Sequence, residues 1–90
     1  MQIYVGNLAC DVTADDLRRA FAPLGAVTHA SIVTDDVSGN SEGFGFVFMP
    51  NRQHGQLAID TLITSMLRGF ELYVNEMLPL IPHASHRLPS

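Results

Sequence analysis

Ninety residues, 47% hydrophobic and 16% charged, make a single small domain that is too apolar for disorder and has no apolar run long enough to span a bilayer. With no lysine, five arginines and nine acids, the formal charge of −4 excludes the strongly basic surface that holds nucleic acid by its phosphates alone. Cys10 is the only cysteine and cannot form an internal disulfide, and no basic lead or apolar block precedes Gln2, so a soluble, cytoplasmic domain in a reducing compartment is expected.

The first element is a strand. In Ile3-Tyr4-Val5-Gly6-Asn7-Leu8 the apolar Ile3 and Val5 alternate with Tyr4, and the run ends in a Gly-Asn turn signal. Cys10 follows, expected as a small filler of the turn. Thr13-Ala14-Asp15-Asp16 then opens a helix: Thr13 caps the first amides, Asp16 stands three residues on as the capping-box acid, and both aspartates suit the positive helix end. Leu17, Ala20, Phe21 and Leu24 form its apolar stripe, Arg18 and Arg19 its outer side, and Pro23 and Gly25 its stop. The acid pair complements the helix dipole, and no catalytic role is assigned to it.

Residues 26–34 alternate again, with Val27, Ala30 and Ile32 apolar and His29, Ser31 and Val33 between them; the step from 30 to 32 to 34 fits a strand whose His29, Ser31 and Val33 share the ring-bearing face. Residues 35–41, Asp-Asp-Val-Ser-Gly-Asn-Ser, are turn-forming and join two strands as a long hairpin. The second of these, Glu42 to Met49, sets Phe44, Phe46 and Phe48 on one face and Gly43, Gly45, Val47 and Met49 on the other. By composition alone either face fits the core. Small residues at 43 and 45 suit close packing of a helix against the backbone, which turns the rings outward. A second helix runs from Pro50-Asn51 to about Leu62 with Leu57, Ala58, Ile59 and Leu62 as its stripe, and residues 63–69 are an apolar connection. Phe70 to Asn75 is the last strand, with Leu72 and Val74 inward and Glu71, Tyr73 and Asn75 outward. The tail, 79–90, has three prolines and no period, so little regular structure is expected there. Its His83 and His86 lack acids or cysteines to complete a metal site.

Two of these stretches carry a family resemblance. Ile3–Leu8 resembles the hexamer motif, and Gly43–Met49 the octamer motif, of the RNA-recognition-motif family, and their joint spacing is a strong signal where either alone is weak. The resemblance covers residues 1 to about 78 and is closest in form to the short, stand-alone bacterial members. It implies an α+β, ferredoxin-like βαββαβ fold, a four-stranded antiparallel sheet backed by two helices, as residues 1–78, followed by the tail 79–90. It also decides the orientation of the rings: those matching Tyr4, Phe44 and Phe46 stack on bases in that family. The site expected on the helix-free face is Tyr4, Asn7, His29, Ser31, Phe44, Phe46, Phe48, Tyr73 and Asn75. The expected partner is single-stranded RNA, with single-stranded DNA as a second substrate, no cofactor, no metal and a monomeric chain.

Three single positions and one run depart from the family pattern. Glu42 stands where the octamer begins with Lys or Arg, Phe48 at a usually polar position, and Met49 where Phe or Tyr is usual. The run Glu76-Met77-Leu78 replaces the basic residues that often follow the last strand. Rings are present and cations are not, which keeps open an alternative in which the ring face binds a protein partner or the chain's own tail. Leu78, Leu80 and Ile81 are the residues that would form such a lid. An enzyme of the same architecture, such as an acylphosphatase-like hydrolase, finds no Gly-rich loop opening a helix and no nucleophile with its base.

Overall fold

A computed structural model describes residues 1–77, in the order β1 (Gln2–Gly6), α1 (Ala14–Phe21), β2 (His29–Thr34), β3 (Ser41–Phe48), α2 (Arg52–Leu62), β4 (Met66–Leu67), β5 (Phe70–Glu71) and β6 (Tyr73–Met77). The expected tail and the lid that Leu78, Leu80 and Ile81 would make lie outside the described residues. Four strands form one antiparallel sheet in the order β2-β3-β1-β6, so the two motif strands are its centre, and both helices cover a single face. This is the ferredoxin-like α+β architecture.

The inward residues of alternating strands meet the stripes of both helices. Ile3, Val5, Val47, Met49 and Val74 pack with Leu17 and Phe21 of α1 and Ala58 of α2 in a core where each is fully buried or nearly so. Burial of each large side chain contributes about 1.5–3 kcal/mol before chain ordering is counted. Met49, the departure from an aromatic, is one of these fully buried residues. α1 begins as read: Thr13 Oγ1 accepts the Asp16 N–H at 3.1 Å and Asp16 Oδ2 accepts the Thr13 N–H at 2.9 Å. The Thr13 N–H bond is the leading cause that holds the Asp16 carboxyl below its ordinary pKa. Asn51 caps α2 by accepting from the Gln53 and His54 N–H groups.

The structure corrects several local expectations. Leu57 is not in the α2 stripe; it is 49% exposed, and Gly55 and Ala58 are the buried positions. Cys10 is exposed rather than a filler. β2 starts at His29 and not at residue 26, although the Thr28 N–H still bonds the Phe48 carbonyl. The strand expected over 70–75 is divided: Phe70–Glu71 pairs with Met66–Leu67 in a small hairpin cut from the presumed connection, and only Tyr73–Met77 joins the main sheet. Glu76 and Met77 therefore lie within the last strand, not after it.

The two glycines of the octamer stretch do not make room for a helix. Gly43 has φ +87° at a bulge where the β2–β3 register shifts between Ile32 and Thr34, and its carbonyl accepts the Leu8 N–H at 2.9 Å. Gly45 sits opposite Ile32, where a Cβ would run into the Ser31 carbonyl oxygen and lie 3.2 Å from the Ile32 Cα. It is the neighbouring strand that comes close.

Candidate nucleic-acid interface

Cross-strand pairing lays the outward side chains in levels. Ser31, Phe46, Tyr4 and Asn75 make one row across the four strands, because Ser31 pairs with Phe46, Phe46 with Tyr4 and Tyr4 with Asn75. His29, Phe48, Gln2 and Met77 make the next. On the far side of the first row, Tyr73 pairs with Gly6.

Tyr4 is the hub of a four-ring cluster. Its centroid lies 5.7 Å from Phe44, 6.0 Å from Phe46 and 6.0 Å from Tyr73, and Phe44 and Phe46 meet edge-on at 6.1 Å. These separations fall in the range favoured by the ring quadrupole. Gly6 is what allows it: a Cβ there would stand 2.9 Å from the Tyr4 Cε2 and Oη, so the tyrosine leans over the glycine toward Phe44 and Tyr73. Tyr4, Phe44 and Phe46 are half-buried by one another, while Tyr73 is 53% exposed at the sheet edge. The result is a half-solvated aromatic bed that no helix among the described residues covers.

Other expected residues divide into three groups. Ser31 and Asn75 flank the rings; the Asn75 Oδ1 accepts the Glu76 N–H at 2.9 Å, which leaves its amide NH2 to donate elsewhere. His29 and Phe48 share the ring-bearing face but one level away, and Phe48 enters none of the four ring pairs. Asn7 does not join the rings at all. At φ +60° it turns off the end of β1, and its Nδ2 donates to the Glu71 carbonyl at 2.7 Å, tying β1 to the β4–β5 hairpin. It lines, with Ile63, Thr64, Glu71, Leu72 and Tyr73, an open cleft of about 500 Å³ beside the sheet edge. Gln2 and Met77 belong to the face and were not expected there. Gln2 has the same parity as Tyr4, a signal that extending the first strand by one residue would have caught.

Every arginine among the described residues is held on the helix side. Arg18 donates to the Val27 carbonyl at 2.9 Å, Arg19 pairs with Asp15 at 2.8 Å, Arg52 with Glu76 at 3.2 Å, and Arg68 with both Asp16 at 3.0 Å and Asp11 at 3.3 Å. The ion pairs of Arg19, Arg52 and Arg68 contribute little stability each, yet they neutralise those cations where they stand, and Arg18 is held by a carbonyl alone. The β2–β3 turn adds acids: Asp35 Oδ2 accepts the Ser38 and Val37 N–H groups, and the Ser38 bond chiefly lowers its pKa, so it stays charged.

An antiparallel sheet whose two central strands turn a cluster of half-exposed rings away from the helices has the architecture of the RNA-binding domains built on a four-stranded sheet. The comparisons agree. The family model described as RNA recognition motif matches residues 3–73, and the chain belongs to the RNA-recognition-motif family. It is 42% identical over 79 residues to RbpE of Nostoc sp. strain PCC 7120, named for RNA binding, which covers 88% of this chain and 80% of that protein. It is 43% identical over 74 residues to the chloroplastic RNA-binding protein CP31B of Arabidopsis thaliana, covering 82% of this chain and 26% of that one. Among solved structures it resembles RNA Binding Protein PG1, with a TM-score of 0.86, 41% identity and coverage of 90% of this chain and 98% of that chain. The second RRM domain of the yeast poly(U)-binding protein Pub1 matches with a TM-score of 0.80 and 29% identity, over 89% of this chain and 96% of that one.

Proposed function

We propose that this chain binds single-stranded RNA by stacking unpaired bases on Tyr4, Phe44, Phe46 and Tyr73, with Ser31 and Asn75 beside them as hydrogen-bonding groups. The observation that carries this is the four-ring cluster on the face of the sheet opposite the two helices. The names of the relatives and the family itself support RNA as the ligand. The chain acts as a binding domain spanning 1–78, not as an enzyme, and works as a cytoplasmic monomer. Single-stranded DNA is a second ligand, since every base offers a ring face.

Phe46→Ala tests the site. An outward ring leaves no core cavity, so the variant should keep its fold and lose roughly 1–3 kcal/mol of affinity for single-stranded RNA, read by titration calorimetry. Equal binding by variant and parent would remove the sheet face from consideration and favour a protein partner instead. Amide shifts during titration with RNA and DNA pools map the surface and rank the two nucleic acids.

Charge supplies an independent test. Each phosphate neutralised in single-strand binding adds about 0.7 to the slope of log K against log salt. With the four described arginines paired on the helix side, the slope should correspond to fewer than about three phosphates. A slope equivalent to about four or more would place a basic surface against the RNA and contradict a stacking-dominated mode.

A further inference from the structure

We infer that Phe48 forms a second, separate base platform, one nucleotide beyond the four-ring cluster, with Gln2 and His29 as its edge-reading groups. This rests on the reading of the sheet as an RNA surface and specifies how far the RNA runs along it.

Phe48 is a large ring, 38% exposed, on the same face as Phe46. Two residues along a strand separate their Cα atoms by about 6.7 Å. A stacked nucleic-acid strand advances about 3.4 Å per nucleotide, so a base lying on Phe46 does not continue onto Phe48 by ordinary stacking. Unstacked bases splayed over a sheet, each taking its own ring, match the longer step. Phe48 also pairs with none of the four clustered rings, which leaves its face to a ligand rather than to a neighbouring aromatic.

Its surroundings have the chemistry of a base site. Gln2 and His29 are its cross-strand partners on either side, and Met77 extends the row beyond Gln2. Both polar residues are exposed, and neither side chain makes a hydrogen bond among the described residues. A carboxamide offers a donor and an acceptor side by side, and an imidazole one of each or two donors, so together they can meet the edge of a base lying on Phe48. Met77, 37% exposed, adds a polarizable wall. Phe48 stands where the family resemblance leads one to expect a polar residue, so the platform is a property of this chain.

The test compares RNA lengths. Mixed-sequence pools of about three nucleotides fill the four-ring cluster, and pools of about six reach Phe48 as well. Phe48→Ala should lower affinity for the longer pool roughly tenfold and leave the shorter pool unchanged. Phe48→Leu, which keeps the apolar bulk without the ring, should behave in the same way, and thermal unfolding of both variants should match the parent. Phe46→Ala, in contrast, should weaken both pools. If Phe48→Ala weakens both lengths equally, or neither, the second platform is wrong while the cluster stands. If Phe46→Ala changes neither, the sheet-face reading itself fails.

Discussion

Gly45→Ala should destabilise the domain by about 3 kcal/mol, the largest stability effect expected of any single methyl group in this chain. The added Cβ meets the Ser31 carbonyl oxygen and the Ile32 Cα, both backbone atoms of the neighbouring strand, and neither can rotate away. Replacing glycine by alanine restricts the unfolded chain and thereby favours folding by about 0.4–1 kcal/mol, but that gain is smaller than the clash it must offset. For a domain of this size the loss should appear as a fall in Tm on the order of 10–20 °C. Chemical denaturation gives the same quantity as a lower midpoint at unchanged slope. A loss under about 1 kcal/mol would mean that β2 and β3 separate more easily than their register implies.

Tyr4→Ala should be the most damaging single change for RNA. The variant loses one stacking surface, worth roughly 1–3 kcal/mol, and also the ring that Phe44, Phe46 and Tyr73 lean on, each such contact being worth about 0.5–1.5 kcal/mol. The ring contacts exist in the free domain, so their loss should appear as a stability decrease of about 1–2 kcal/mol, while the missing stacking surface and the loosened neighbouring rings give an affinity loss of about 2–4 kcal/mol. Gly6→Ala provides a control that leaves the tyrosine in the chain. Its Cβ meets only atoms of the Tyr4 ring, which can swing aside, so folding should survive while binding falls by a part of the Tyr4→Ala loss. If Tyr4→Ala binds RNA less than about fivefold more weakly than the parent, the hub does not organise the face.

What could be read from the chain beforehand was whatever is local or periodic. The alternations of 3–8 and 42–49 sorted the two central strands into two faces, because period-two patterning is a property of a strand by itself, while which face of 42–49 looks outward came from the pairing of the two motifs. The capping box of Thr13 and Asp16 was legible for the same reason: all of its atoms lie within one helical turn. The failures are mostly non-local. Gly43 and Gly45 were both marked as special, yet their reasons, a bulge and a close approach of β2, depend on which residue of the next strand lies opposite. Phe48 shares its parity with Phe44 and Phe46, and only the placing of Tyr4 over Gly6 shows that the cluster forms toward the other end of β3. The split of 70–77 into a hairpin strand and a sheet strand has a local part that was missed, the two-residue Arg68-Gly69 turn with φ +50° and +85° that closes Met66–Leu67 on Phe70–Glu71. Its other part, the Asn7 bond to the Glu71 carbonyl, crosses 64 positions of sequence and lies beyond any short window.

The pairing of the arginines on the helix side has a kinetic consequence. A ligand carrying a negative charge at every nucleotide approaches a chain whose own formal charge is −4, and among the described residues no arginine stands on the aromatic face to draw it in. Encounter is therefore unsteered, in the range of about 10⁵–10⁶ M⁻¹s⁻¹ characteristic of neutral docking rather than the faster regime of complementary fields. Added salt screens the residual repulsion as well, so the association rate should lack the steep fall with ionic strength that a basic RNA binder shows. In the proposed stacking mode the residence time would rest on the rings, which release a base by unstacking, and differences among RNAs should be read chiefly in how slowly each one leaves.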